Sequence, residues 1–411
     1  MMDRRFKSAK TWLSSITAVL VMGLFLSGCQ EKPKAAVSEM DNPWHHYAQG
    51  MEALDEGRVD RASAKFSRAI ALSEDFSPAL AGQSLIMALK AADQEDAGHR
   101  RVDWEKAEDL LDAARSAADT DADTFIYQTT AIRVLTAAQP DRWIDKARIH
   151  HVSALEVDDL KDTDLPYYQY KAAADYFMAE AWFKADFRKA PQLLTKVLGA
   201  RGDGKWQGPA DKLYQRVQKI IRASAGHMVS GKALQIAIKD SVTRGDAAAL
   251  LVDELKLDKL LAGRIRVASV EANRKAEYTP ADVLNHPFRD EISTMMKWRV
   301  RGLEPNYDES TRAWLFKPQD SVPRKDLALA LEDVLIGLTK DQGIATAHIG
   351  AERSPYPDVS PNLPWFNACM TSVTRGLMQL GLSGEFRPDE PVSGADLLLA
   401  VFKLRSVMNI H

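Results

Sequence analysis

The chain has 411 residues, 27% of them charged, and a formal net charge of −3 from 54 Lys and Arg against 57 Asp and Glu. That balance offers no basic surface of the kind nucleic acids require, and a chain of this length should divide into two or more domains. Its two cysteines, Cys29 and Cys369, are too few for a disulfide framework or a thiolate metal site, and Cys369, among Trp365, Met370 and Val373, reads as a small buried apolar residue.

At the N-terminus Arg4, Arg5, Lys7 and Lys10 precede an apolar run from Ile16 to Leu26. The run has the length of a signal-peptide core and is short for a bilayer span. It ends in Leu26-Ser27-Gly28-Cys29, which resembles the bacterial lipoprotein box. The resemblance implies that residues 1–28 are a signal peptide and that lipidation of Cys29 fixes the chain to a membrane through several acyl chains. Gln30 in the next position favours the outer membrane, facing the periplasm. Residues 29–43, polar and without periodicity, read as a flexible tether.

From Trp44 the apolar pattern is helical and repeats. Ala62, Phe66 and Ala69 recur in spacing as Ala107, Leu111, Ala114, as Ala147, His151, Ala154, and as Ala190, Leu194, Val197. Small residues sit where two helices approach and larger ones where they fill the groove, with Gly50 and Gly57 ahead of the first triplet and an insertion expected at Gln94 to Asp103. This pattern resembles the tetratricopeptide repeat and implies stacked helical hairpins over 44–200 that bury one continuous core. It also implies a surface for a protein partner, which Tyr127, Tyr167, Tyr168, Tyr170 and Tyr176 could line or, alternatively, pack beneath. His150 and His151, like His45 and His46, are adjacent on a helix and point apart, so no metal is expected.

Gly202, Asp203 and Gly204, with Pro209 beyond, mark a domain boundary. An amphipathic helix is predicted over 210–225. A short phrase then occurs three times: Val242-Thr-Arg-Gly-Asp246, Val322-Pro-Arg-Lys-Asp326 and Val392-Ser-Gly-Ala-Asp396. Each opens a predicted helix, over 247–255, 328–338 and 398–404. Thr243 and Ser393 are suited to cap the first turn, with the aspartate completing a capping box, whereas Pro323 makes a weaker cap. Ahead of the second and third phrases stand Asp282-Val283 and Asp358-Val359, predicted helices over 288–300 and 365–380, and Phe316-Lys-Pro and Phe386-Arg-Pro.

This order resembles the S-layer homology (SLH) domain, strongly in the third unit and least in the first. The resemblance implies an array over 210–411, with units at about 210–262, 278–340 and 354–407, whose grooves bind cell-wall polysaccharide or peptidoglycan. Arg244 and Arg324 fall on the family's anion-contacting arginine, where a guanidinium beside a helix N-terminus suits a carboxylate. Gly394 replaces it in the third unit. Thr243, Asp282, Asp358 and Trp365 complete the implied glycan-binding set, Asp282 and Asp358 as loop-fixing residues and Trp365 as the aromatic that opens its helix, with Pro287 as its counterpart in the second unit.

No nucleophile elbow, zinc-protease motif or phosphate loop occurs, so neither catalysis nor a cofactor is expected. The sequence predicts an all-α lipoprotein that ties a membrane to the wall through SLH units and recruits a protein through helical repeats. The alternative is a protein platform of an outer-membrane secretion or polysaccharide-export assembly whose SLH units no longer bind glycan.

Overall fold

A computed structural model describes residues 41–158, 160–200, 204–225, 229–257, 259 and 279–407. The signal peptide, Cys29, most of the tether and residues 201–203 of the expected boundary lie outside them. The described chain is predominantly helical and divides into two compact units, Met1–Ala181 and Trp182–His411.

In the first unit α1 (Pro43–Asp55) packs on α2 (Val59–Leu72), α3 (Ser77–Asp93) on α4 (Ala97–Ser116), and α5 (Asp121–Ala138) on α6 (Trp143–Glu156). Helix α3 also packs on α5, so successive hairpins lie side by side. The local starts follow from side-chain caps: Asn42 accepts from His45 N at 2.8 Å, Asp96 from His99 N at 2.8 Å, and Thr120 with Asp123 forms a capping box. The residues expected as an insertion after Gln94 instead begin α4.

The repeated triplets form the seams. Ala62, Phe66, Ala69, Ala107, Leu111, Ala114, Ala147 and Ala154 are all buried. Ser77 and Ser84 on α3 donate to the carbonyls of Ala114 and Ala107, at 2.8 and 2.7 Å, so close helix approach leaves these two hydroxyls satisfied. The Phe66 ring is held between two glycines. A Cβ at Gly50 on α1 would lie 2.4 Å from it, and one at Gly82 on α3 would lie 2.6 Å away.

Four of the five tyrosines read as possible partner contacts are buried in the unit instead: Tyr127, Tyr167, Tyr168 and Tyr176. Tyr167 donates to Asp55 on α1 at 2.6 Å and accepts from Arg133 on α5 at 3.0 Å, while Tyr168 bonds Thr130 at 2.8 Å. Burial raises the Tyr167 hydroxyl's pKa well above its ordinary value, so it stays a neutral donor. The histidine pairs do diverge: His150 bonds Gln128 at 2.6 Å and His151 bonds Asp175 at 2.8 Å. Burial pulls His150 down to about 4.

The second unit is built on the three phrases. Its helices are α8 (Ala190–Gly199), α9 (Gln207–Ser224), α10 (Gly231–Ala237), α11 (Arg244–Leu255), α12 (Arg289–Lys297), α13 (Arg324–Thr339), α14 (Phe366–Thr374) and α15 (Gly394–Val407), after α7 (Ala172–Asp186). Ala190, Leu194 and Val197, the fourth triplet, are buried here, where α8 packs on α9. Helix α11 packs on α12, α13 on α14, and α15 on α9, so the same pairing occurs three times. Val242 N donates to Val392 O at 2.9 Å, Val392 N to Val322 O at 2.9 Å, and Val322 N to Val242 O at 3.1 Å. Three extended phrases thus close a ring, and all three valines are buried.

Helices α12 and α14 end earlier than predicted. Arg299 and Gly376 take left-handed conformations, with φ of 51° and 67°, and Val300 N and Leu377 N turn back to Met295 O and Ser372 O, a Schellman close. The all-α expectation also missed a hairpin of β1 (Asn306–Asp308) and β2 (Ala313–Leu315).

Replacing Gly50 by Ala should destabilise the first unit by about 1–2 kcal/mol. The added methyl meets a ring that Gly82 prevents from retreating, and overpacking of about 1–3 kcal/mol outweighs the roughly 1 kcal/mol of helix propensity gained. Combining it with Phe66→Leu should give a smaller loss than the two single changes added, as measured by urea denaturation.

Candidate functional site

Each phrase enters its helix from an extended segment, so the residue after the cap projects from the first turn toward the next stretch of chain. Arg244 reaches the loop that precedes the second phrase. Its Nε, Nη1 and Nη2 donate to Phe316 O at 2.8 Å, Gly302 O at 2.9 Å and Glu304 O at 2.7 Å. Arg324 repeats this one unit on, from Nε to Phe386 O at 2.7 Å and from Nη2 to Gln379 O at 2.6 Å. Each guanidinium lies over the ring of the same phenylalanine, Phe316 at 4.9 Å and Phe386 at 5.0 Å. Both arginines are only 6% exposed, and burial lowers both guanidinium pKa values.

Here the geometry differs from the expectation of a guanidinium open to a carboxylate. The forks join a phrase to the following loop, and the charge is delivered to the groove with most of its donors already engaged. Beside Arg324 is a small depression lined by Leu327, Leu377, Met378 and Asp396.

Asp282 and Asp358 occupy matching positions. Asp282 accepts from Phe316 N at 3.3 Å and Lys317 N at 2.6 Å, and Asp358 from Phe386 N at 2.9 Å and Arg387 N at 2.6 Å. Lys317 and Arg387 are left-handed, with φ of 55° and 58°. A non-glycine residue there is strained, and the two amide bonds to one carboxylate hold it. Thr243 accepts from Asp246 N at 3.1 Å while Asp246 accepts from Thr243 N at 3.0 Å, so its hydroxyl serves the cap.

The phrase aspartates differ from one another. Lys239 bonds both oxygens of Asp246 at 2.8 Å, and Lys219 bonds Asp396 at 2.7 Å. Burial alone would raise Asp396, but the Lys219 ammonium and the Ser393 hydroxyl leave it below the usual carboxylate range. Asp326, on a helix whose cap residue Pro323 has no hydroxyl, is raised by burial, partly offset by Arg244 and Lys325.

Trp365 is the N-cap residue of α14, half-buried, with the Lys325 ammonium 5.0 Å from its ring. Its counterpart is not Pro287 but Phe288, the N-cap residue of α12, which lies under Lys232 at 5.2 Å. Cys369 is buried as expected, and burial pushes its thiol up to about 12.

Gly394 turns out to be more than a missing arginine. A Cβ there would lie 1.8 Å from Ile236 O, a carbonyl of α10. Its amide donates to Lys239 O at 2.9 Å. Backbone fills the third groove, and only glycine admits that approach.

The hairpin between Glu304 and Phe316, with Tyr307 and Trp314 exposed, was not anticipated. The signal was available: the loop spans 302–316 in the second unit against 379–386 in the third, and Asp308 with Ser310 and Thr311 writes an Asx turn, accepting from both amides at 3.1 and 3.0 Å. Among the described residues no cluster of His, Cys, Asp and Glu could hold a metal, and no helix is long and apolar enough to cross a membrane.

Gly394→Ala should destabilise the second unit by about 2–4 kcal/mol, because the obstructing atoms are backbone and cannot swing away. Gly231→Ala, with open space around it, should be neutral or slightly stabilising; chemical denaturation distinguishes the two. Asp358→Ala should cost about 1–3 kcal/mol through two amides left without an acceptor. Asp358→Asn, which keeps one acceptor oxygen, should fall between that variant and wild type in the same assay.

The family described as the S-layer homology domain matches residues 355–398, from Pro355 through the third phrase into α15. No curated protein and no solved structure matches the chain. An S-layer homology domain at 355–398 marks a cell-envelope or surface protein and points to anchoring at the cell wall.

Proposed function

We infer that the protein is a non-enzymatic envelope lipoprotein: Cys29 carries the lipid, the helical hairpins recruit a protein partner in the manner of tetratricopeptide repeats, and the second unit grips wall polysaccharide or peptidoglycan as a three-part SLH array. The observation that carries this reading is the hydrogen-bonded ring through Val242, Val322 and Val392. It makes the matched segment 355–398 one member of a set of three related phrases rather than an isolated motif. The matching geometries of Arg244 and Arg324, and of Asp282 and Asp358, support it.

The glycine at 394 leaves the array two arginine positions, Arg244 and Arg324, for an anionic glycan. It also keeps alive the second reading, a protein platform in an export assembly, because an array that has filled one groove with its own backbone has reduced its glycan-binding surface.

The full chain should co-sediment with purified, protein-free cell-wall sacculi. The double variant Arg244→Ala, Arg324→Ala should stay in solution while retaining its helical circular dichroism. Equal pelleting of both proteins would place glycan binding elsewhere on the unit, and failure of the wild type to pellet would favour the platform.

A further inference from the structure

We propose that Tyr307 and Trp314 form a carbohydrate-stacking platform beside the Arg244 groove, and that Arg244 is the positioning residue that aims it. This rests on the wall-glycan reading above but assigns the contact to residues outside the SLH phrase and outside the matched segment.

The two residues face each other directly across the hairpin, in register, with ring centroids 5.7 Å apart and planes at 64°. Cross-strand aromatic pairs stabilise a hairpin, yet these side chains are spent little on burial: Tyr307 is 51% and Trp314 55% exposed. A short two-stranded hairpin is marginal in isolation, so its orientation depends on its roots. Both roots are clamped by one side chain, since Arg244 holds Glu304 O just before β1 and Phe316 O just after β2. Lys317, which follows Phe316, ties the base again through its ion pair with Asp308 at 3.0 Å. The platform is therefore fixed relative to the groove, with Trp314 about 7 Å along the strand from the Arg244-bound carbonyl. That separation is on the scale of one sugar ring.

The surroundings select the ligand. Glu304, Asn306, Glu309 and Arg312 of the same segment are also exposed. Two exposed rings on a short hairpin that also exposes polar side chains are too small for a protein interface, which needs roughly 800 Å² on each partner. They suit a pyranose, whose C–H face packs on an aromatic ring while its hydroxyls reach neighbouring polar groups. The third unit, with its shorter loop and no hairpin, lacks the feature.

The test is quantitative co-sedimentation of the full chain with protein-free sacculi. Trp314→Ala should weaken half-saturation about tenfold and Trp314→Phe less than about threefold. Trp314→Leu, which keeps an apolar strand residue without a π face, should behave like the alanine variant, and all three should melt as wild type does. Equal retention of wild type and Trp314→Ala overturns the platform and leaves the wall reading standing, while no retention of wild type overturns both. A defect seen only on sacculi still carrying envelope proteins would assign the hairpin to a protein partner and overturn the platform.

Discussion

Everything in the second unit depends on three extended dipeptide-sized segments meeting through single backbone hydrogen bonds at Val242, Val322 and Val392. One such bond contributes only about 1 kcal/mol net. The ring matters because of what it joins: segments far apart in sequence, each of which must leave the ring and turn at once into a helix. A β-branched residue favours the extended conformation, and its buried side chain pins the register. The capping box at Thr243 and the hydroxyl of Ser393 then fix where the helix starts, which in turn fixes the direction of residues 244, 324 and 394. Because all three contacts are long-range, loop closure precedes the reward and the unit should be slow to assemble relative to the local hairpins of the first unit.

The arginines show how one side chain serves structure and groove together. A guanidinium stripped of water needs nearly all its donors satisfied. Arg244 meets that need with three carbonyls and an aromatic face, and Arg324 follows the same pattern. Lysine, with a point charge and no fork, could not bridge carbonyls on both sides of a loop. The arginine therefore shapes the loop first.

The helices were legible from periodicity, and so were the seams, because Ala, Phe and Leu at helical spacing have few alternatives to a packed interface. Helix ends were harder. Trp298 and the residues after Arg375 continue the apolar pattern, yet Arg299 and Gly376 go left-handed, and nothing in a side chain such as that of Arg299 announces it. The tyrosines of the first unit carried an ambiguous signal, since Tyr suits open interfaces and wet cores alike; the decision came from Asp55 and Arg133, remote in sequence, which provide partners for a buried hydroxyl. At the candidate site the arginine and aspartate positions could be read off the phrases, but their acceptors could not.

Gly394 makes the same point about asymmetry. As a string, the third phrase has lost an arginine. In space, the loss follows from what the first unit brings against it: α10 places Ile236 O where a side chain would begin, because no Phe-x-Pro loop stands there to hold the backbone further off. The two departures from threefold pattern, glycine in the last phrase and a missing loop in the first, are therefore one feature seen from two ends of the unit. Closing a ring requires the last phrase to meet the first unit, and here the meeting is made by backbone at Ile236 and Lys239 and by the Lys219–Asp396 pair, which leaves the arginines to the two junctions where consecutive phrases meet.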